Sequence, residues 1–172
     1  GISRFPMDGE DPYTLIKNAD AAMYLAKDEG RNSFRFYTQK LTQNAFDKVF
    51  LETALRGALS RNEFSVVYQP QICIKKGHLA GMEALVRWNH PELGSVSPAV
   101  FIPIAEANGL IHDIGTWVLA DACKQGRIWL DSKLNFGRIA VNIAGPQVIK
   151  AGFPKLVSDV LIETRFPAGK LE

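Results

Sequence analysis

From residue 63 onward the sequence alternates between two kinds of segment, and this alternation restricts the fold more than any other feature. Runs rich in β-branched and aromatic residues predict strands at residues 64–74, 79–88 and 138–143. Apolar residues spaced three and four positions apart predict helices at 98–108, 116–130 and 153–164. Residues 170–172 are typical of the start of another strand. Such alternation indicates an α/β fold whose later strands are parallel.

The length of this α/β region limits its architecture. A complete eightfold β/α barrel needs about 250 residues, whereas only residues 63–172 of a 172-residue chain are available here. The region therefore predicts at most half of such a barrel. Its packing is expected to be that of an ordinary globular protein, because 47% of the chain is hydrophobic and 22% is charged.

The preceding residues predict part of a domain and a connecting helix. Asp11 and Pro12 are typical of a helix start, where such a cap contributes about 1 kcal/mol, and Gly30 is typical of a helix stop. Residues 33–37 predict a short strand. One helix and strand pieces cannot bury a core by themselves, so residues 1–38 are interpreted as part of a domain. Residues 39–61 keep a helical spacing of apolar residues and predict the connecting helix.

Charge and hydropathy argue against several classes of protein. Twenty Lys and Arg against 18 Asp and Glu leave a net charge of +2 without a block of like charges, which does not favour a nucleic acid polymer as partner. No apolar run approaches the ~20 residues of a membrane helix, and the chain opens without a signal-like segment. We therefore expect a cytoplasmic protein, and attachment of a longer parent protein to a membrane through upstream segments stays open.

Four short motifs mark the N-terminal region: GIS at residues 1–3, ADAAMY at 19–24, AK at 26–27 and GRN at 30–32. Together they resemble the C-terminal end of a GGDEF domain, the fold that condenses two GTP into cyclic di-GMP. The resemblance implies that Lys27 and Arg31 contact a triphosphate. Solvated cations favoured by the dipole of the helix C-terminus are the alternative. The signature of the cyclase family would lie upstream, so no cyclase activity is expected of this chain.

A longer series of motifs runs through the region that follows: YQPQ at 68–71, EALVRW at 83–88, HP at 90–91, Gly94, FIP at 101–103, AE at 105–106, GLI at 109–111, WVL at 117–119 and VNI at 141–143. In this order they resemble an EAL domain, a TIM-barrel-like phosphodiesterase that hydrolyses cyclic di-GMP to the linear dinucleotide pGpG. The resemblance implies an α/β fold in which a partial EAL-type (β/α)8-like barrel follows the βαβ remnant of a nucleotide-cyclase-like GGDEF domain. Bacterial GGDEF–EAL tandem proteins have this domain order.

Polar and apolar side chains alternate along the second predicted strand. Glu83 and Arg87 share one face, and the apolar residues 82, 84, 86 and 88 share the other, which can pack under helices. Glu83 then requires a cation, either an arginine or a metal ion, because a buried unpaired charge is costly. The EAL resemblance implies that Glu83 is a catalytic metal ligand, that Arg87 contacts phosphate and that Gln69 binds substrate. An ion pair between Glu83 and Arg87 without chemistry is the alternative.

Asn142 lies among β-branched neighbours that predict a central, buried strand. Its carbonyl oxygen suits Mg²⁺ or Mn²⁺, and the resemblance implies that it is a metal ligand with either ion as the cofactor. Hydrogen bonding to backbone near a strand end is the alternative. Glu172 aligns two residues before the ligand glutamate of the family's next strand, so no role is assigned to it.

The chain is thus predicted to contain a GGDEF remnant at residues 1–38, a helical linker at 39–61 and the N-terminal half of an EAL domain at 62–172. We expect the parent protein to be a cyclic-di-GMP phosphodiesterase and the isolated chain to be inactive, because later acidic ligands and a lysine of the family are missing from it. A catalytically degenerate EAL domain that acts as a cyclic-di-GMP receptor is the alternative. We expect a homodimer whose interface is formed by the apolar linker helix or by the EAL domain.

Overall fold

The computed structural model describes residues 1–28 and 30–172, and for residues 28 and 39–48 it describes the backbone only. The chain divides into two compact units, residues 1–51 and residues 52–172. In the described part of the chain, no helix combines the length and the apolar character that crossing a bilayer requires.

The first unit contains helix α1 (Pro12–Asp28) and the beginning of helix α2 (Gln39–Ala58). The Asp11 carboxylate accepts hydrogen bonds from the backbone N–H of Thr14 at 2.9 Å and from its hydroxyl at 2.6 Å, which confirms the predicted helix start. The strand predicted at 33–37 is reduced to one parallel bridge between Ile2 and Phe36. The N–H of Ile2 donates to Arg35, and the N–H of Tyr37 donates to the Ile2 carbonyl oxygen, so the pairing there involves the single residue Ile2.

The second unit is built on a four-stranded sheet with β2 (Leu79–His90) at its centre. β2 pairs antiparallel with β1 (Phe64–Ile72) and with β3 (Gly94–Val96), and parallel with β4 (Arg138–Val141). Leu171 adds a parallel bridge on the other side of β4, at Ile139. The predicted parallel arrangement of the later strands is therefore confirmed, whereas the first two strands form an antiparallel hairpin.

Helices cover one face of this sheet. They are α3 (Pro98–Ala107), α4 (Ile111–Asp131), the single turn α5 (Gly145–Val148) and α6 (Phe153–Thr164), and a short 3₁₀ turn follows at Ala168–Lys170. α6 coincides with the predicted helix 153–164. α4 begins five residues before the predicted residue 116, because its buried face already starts at Ile111, Ile114 and Gly115.

The core lies between this helical layer and the sheet. Its fully packed residues come from β2, α4, β4, α6 and the segments next to β4 and α6, and include Ala84, Leu119, Ala122, Cys123, Phe136, Ile139, Val160 and Phe166. Aromatic side chains contribute to this layer: Phe101 is buried, and Trp129 packs against Tyr68 and Phe136. Burial of such side chains stabilises the unit by roughly 1.5–3 kcal/mol each.

Close approach of β4 to β2 depends on Gly137. This residue precedes β4 with φ +75°, and a Cβ there would lie 1.8 Å from the carbonyl oxygen of Ala80 on β2. Contact that close with backbone cannot be relieved by a side-chain rotation. Glycine at this position therefore permits the parallel pairing that carries the residues after β4 toward β2.

Candidate functional site

The two faces of β2 differ as the sequence predicts. Ala84 and Trp88 point into the helical layer, where their exposed fractions are 2% and 0%. Glu83 and Arg87 occupy the opposite face, and both side chains are half-buried. The strand thus separates a packed apolar surface from a polar surface that carries the candidate functional groups.

Strand register brings the candidate residues into one row. Gln69 of β1 is the direct partner of Glu83 on β2, and Glu83 is in turn the partner of Ala140 on β4. Partners across neighbouring strands point to the same face of a sheet, and so does the residue two positions further along. Asn142, two residues after Ala140, therefore lies on the same face as Gln69 and Glu83.

A direct hydrogen bond joins Asn142 to Glu83. The side-chain amide Nδ2 of Asn142 donates to Oε1 of Glu83 over 2.7 Å. The prediction that Asn142 is buried is wrong, since the residue is exposed. It lies one position beyond the end of β4, on the sheet face opposite the helices, so its β-branched neighbours pack while its own side chain projects away from the core.

The partner of the Glu83 carboxylate is the side-chain amide of Asn142. The sequence had predicted a cation at this position. In the part of the chain that the structure describes, no Lys or Arg forms an ion pair with Glu83, and the guanidinium of Arg87 donates to the backbone oxygen of Val86 at 2.9 Å. Glu83 and Arg87 lie four positions apart along the strand, a distance of roughly 13 Å. The alternative of an ion pair between Glu83 and Arg87 is therefore not observed.

The pair Glu83 and Asn142 offers two oxygen donors to a hard divalent cation. Rotation of the Asn142 amide by half a turn replaces Nδ2 with Oδ1, so a carboxylate and an amide oxygen can face one ion. Among the described residues no group of three or more His, Cys, Asp and Glu comes together as a metal cluster. These two residues therefore fit part of a coordination shell, and the other ligands would be water, substrate or further protein groups.

A cavity of about 240 Å³ adjoins this row of residues. It lies between the C-terminal part of β2, helices α3 and α4, and the loop after β4, with polar lining residues Arg87, Glu106, Asn142 and Gln147. Arg87, on β2, and Asn142, just after β4, therefore line the same open cavity. An anionic group held there would meet the guanidinium of Arg87 close to the possible ion ligands.

Comparison with known proteins identifies the family to which this arrangement belongs. Residues 52–172 match the EAL domain family, which is more than half of the chain. The chain belongs to the EAL domain family. Phosphodiesterases of this family generally use divalent metal ions, in agreement with the donors that Glu83 and Asn142 present.

Among its relatives, the chain is 43% identical over 162 residues to the bifunctional diguanylate cyclase/cyclic di-GMP phosphodiesterase MucR of Pseudomonas aeruginosa, covering 94% of this chain and 24% of MucR. It is 39% identical over 166 residues to the cyclic di-GMP phosphodiesterase PdeR of Escherichia coli, covering 96% of this chain and 25% of PdeR. The chain thus spans about a quarter of the length of these relatives.

Similarity extends to solved structures. The PaMucR phosphodiesterase in complex with c-di-GMP is 40% identical and superposes with a TM-score of 0.69, covering 71% of this chain and 49% of that one. The mixed α/β fold of the second unit is therefore an EAL fold.

Gln147 is a buried polar residue of the EAL domain that the sequence did not single out. Gln147, in α5, is only 5% exposed and lines the cavity next to Asn142. A Gln at the third position of a helical turn is a known capping signal, and that signal could have identified it.

Glu172 and the two cations of the first unit occupy different surroundings. The backbone of Glu172 donates to Ile139 and accepts from Val141, which extends the sheet beside β4. The strand predicted at 170–172 begins at Leu171, because Lys170 still belongs to the 3₁₀ turn. Lys27 and Arg31 belong to residues 1–51 and are both exposed. The ammonium of Lys27 lies 5.5 Å from the ring centre of Tyr24. Triphosphate contact by Lys27 and Arg31 stays a prediction.

Proposed function

We propose that this chain contributes to a phosphodiesterase that hydrolyses cyclic di-GMP to pGpG with a divalent ion, Mg²⁺ or Mn²⁺. The observation that carries the proposal is the convergence of Gln69, Glu83 and Asn142 on one sheet face, next to the cavity that Arg87 also lines. The names of the relatives and the c-di-GMP in the PaMucR structure support the choice of substrate.

Each residue has a distinct role in this proposal. Glu83 and Asn142 hold the divalent ion through a carboxylate and an amide oxygen. When bound, the ion supplies positive charge that stabilises the phosphoryl oxygens and favours ionisation of water. Arg87 contacts a phosphate of cyclic di-GMP with its planar guanidinium, and Gln69 orients the substrate by hydrogen bonding from the neighbouring strand.

The alternative is an EAL domain that binds cyclic di-GMP as a receptor without hydrolysing it. The same four residues would then form a binding site whose other catalytic ligands are missing. Because the pair of Glu83 and Asn142 is intact in both cases, the two alternatives differ only in the other ligands that hydrolysis requires.

For the parent protein we propose a GGDEF–EAL tandem, in which residues 1–38 are the end of the GGDEF domain, 39–61 the linker helix and 62–172 the N-terminal half of the EAL domain. The family match begins at residue 52, inside this linker. We further propose a cytoplasmic EAL domain that forms a homodimer through the linker helix or its own surface.

Hydrolysis by the full-length protein tests the proposal. The purified protein is incubated with cyclic di-GMP and either Mg²⁺, Mn²⁺ or EDTA, and the products are separated by chromatography. Formation of pGpG that requires a divalent ion is expected. Tight binding of cyclic di-GMP without pGpG formation under any of these conditions would favour the receptor instead.

A further inference from the structure

The loop that carries Asn142 is fixed by Gln147. The backbone N–H of Gln147 donates to the carbonyl oxygen of Ala144 at 2.9 Å, and the Ala144 N–H donates to Oε1 of Gln147 at 3.1 Å. These reciprocal bonds close the turn that begins two residues after Asn142. A turn held from both directions has little freedom to reorient.

The side chain of Gln147 also packs directly on helix α4. A Cβ on Gly115 would lie 2.0 Å from Nε2 and 2.7 Å from Cδ of Gln147, so the amide occupies the space that any larger residue at position 115 would need. Val118 and Leu119, on the next turn of α4, are buried in the core. Gln147 therefore connects the turn after β4 to a rigid part of the helical layer.

Asn142 lies on the segment between β4 and this turn. It follows the last residue of β4, is exposed, and makes its 2.7 Å contact to Glu83 through its side chain. Its position therefore depends on the strand before it and on the next fixed point after it, which is the pair of Ala144 and Gln147. Small displacements of a ligand residue have large effects on metal affinity and on rate.

We propose that Gln147 is a positioning residue for the site: held between Gly115 and the Ala144 amide, it fixes the loop at which Asn142 meets Glu83. This inference rests on the proposed function, since it assigns Gln147 to the divalent ion site of that function. Gln147 acts through Asn142 and does not itself touch the ion.

The first test is the affinity of the full-length protein for Mn²⁺ alone, measured by electron paramagnetic resonance of free Mn²⁺. Gln147→Met keeps the length of the side chain but removes the acceptor for the Ala144 N–H. We expect it to weaken Mn²⁺ binding by about 10-fold or more, as loss of a supporting residue does at other metal sites. Gln125→Met is the matched control on α4, about 15 Å from Gly115 along the helix, and should leave the affinity unchanged. Equal affinity of Gln147→Met and wild type would overturn the inference.

A second set of variants separates positioning from folding. Gly115→Ala forces Gln147 away from α4 and should lower both the Tm and the Mn²⁺ affinity. In Gly115→Ala/Gln147→Ala the steric conflict is gone, so the Tm should return to that of Gln147→Ala while the affinity stays about 10-fold low. Affinity that recovers together with the Tm would assign Gln147 a structural role only and overturn the inference.

The same titrations distinguish failure of this inference from failure of the proposed function. Wild-type protein that binds Mn²⁺ through Glu83 but forms no pGpG would overturn the proposed hydrolysis and leave the role of Gln147 intact. If the Glu83→Gln variant binds Mn²⁺ as tightly as wild type does, both the proposed function and the role of Gln147 are overturned.

Discussion

The Asn142 amide donates to the Glu83 carboxylate across 2.7 Å, although 59 positions separate the two residues in the sequence. The parallel pairing of β2 with β4 brings them together, because Glu83 and Ala140 are partners and Asn142 lies two residues further on the same face. Two residues from different sequence motifs thus meet on one face of the sheet.

Glu83 is expected to be indispensable for hydrolysis. Glu83→Gln keeps an oxygen that accepts from Asn142 but removes the negative charge that holds the ion, so it should reduce kcat/KM by at least about 100-fold, or several kcal/mol of transition-state stabilisation. The assay is pGpG formation by the full-length variant at saturating Mn²⁺. Glu163→Gln, at an exposed position of α6, is the matched control. Turnover of Glu83→Gln near that of wild type would refute the ligand role.

Replacement of Arg87 by lysine should damage activity even though the charge is kept. An ammonium is a point charge and cannot reproduce the two parallel hydrogen bonds of a guanidinium to phosphate. We expect kcat/KM to fall about 10-fold or more for Arg87→Lys, whereas Arg127→Lys, on the outer helix α4, should behave like wild type. An unchanged kcat/KM for Arg87→Lys would show that Arg87 does not contact the substrate.

Gly137→Ala should separate β4 from β2. The added Cβ would lie 1.8 Å from the Ala80 carbonyl oxygen, at a positive φ that alanine adopts only with strain. We expect a loss of roughly 1–3 kcal/mol in the free energy of unfolding of the complete EAL domain, measured with urea. Gly169→Ala is the control, because a Cβ there would have no neighbour within 4 Å. Equal stability of both variants would contradict this account of the strand pairing.

Much of the fold could be predicted from the sequence, and so could the division of β2 into a polar and an apolar face. Alternation of side chains on a strand is a local property, so the burial of Ala84 and Trp88 opposite Glu83 followed directly from the pattern. The start of α1 at Asp11 was likewise a local signal.

The exposure of Asn142 and the role of Gln147 could not be predicted in the same way. Both depend on where β4 ends and on which helix lies beside the following turn, which are properties of tertiary packing. A run of β-branched residues indicates a strand but does not fix its last residue. The sequence around Gly115 does not indicate that a glycine is required there. The side chain that leaves no space for a Cβ belongs to Gln147, 32 positions later in the chain.

The buried carboxylate of Glu63 should make stability depend on pH. It accepts hydrogen bonds from Arg61 and, at 2.9 Å, from the indole of Trp88. The guanidinium of Arg61, and after it Trp88, hold the pKa of Glu63 below its ordinary value of 4.5. A group whose pKa is lowered on folding stabilises the protein above its ordinary pKa, and this contribution is lost as the pH falls through the folded pKa.

We therefore expect Glu63→Gln to lower the free energy of unfolding at pH 7 by about 1–3 kcal/mol and to make its decline between pH 5 and pH 3 less steep than in wild type. Urea unfolding of the complete EAL domain across this range measures both effects. A constant difference between variant and wild type at every pH would contradict the assigned role of the charge.

The chain of residues 1–172 alone is expected to be inactive and to associate with itself. Glu172 pairs with β4 on one side only among the described residues, and the sheet face that carries Gln69 and Asn142 is exposed. Open strand edges and uncovered surfaces favour aggregation or exchange between chains. Size-exclusion chromatography together with an assay containing Mn²⁺ and cyclic di-GMP measures both properties. Hydrolysis by a well-folded monomer would contradict this expectation.

A double-mutant cycle on Glu83 and Asn142 tests most directly whether they act as one site. In the full-length protein, kcat/KM for cyclic di-GMP is measured for wild type, Glu83→Gln, Asn142→Ala and the double variant. Residues that hold one ion lose it together, so the double variant should be no worse than Glu83→Gln alone, within about threefold. Losses that multiply in the double variant would show that the two residues act independently and would contradict a shared ion site.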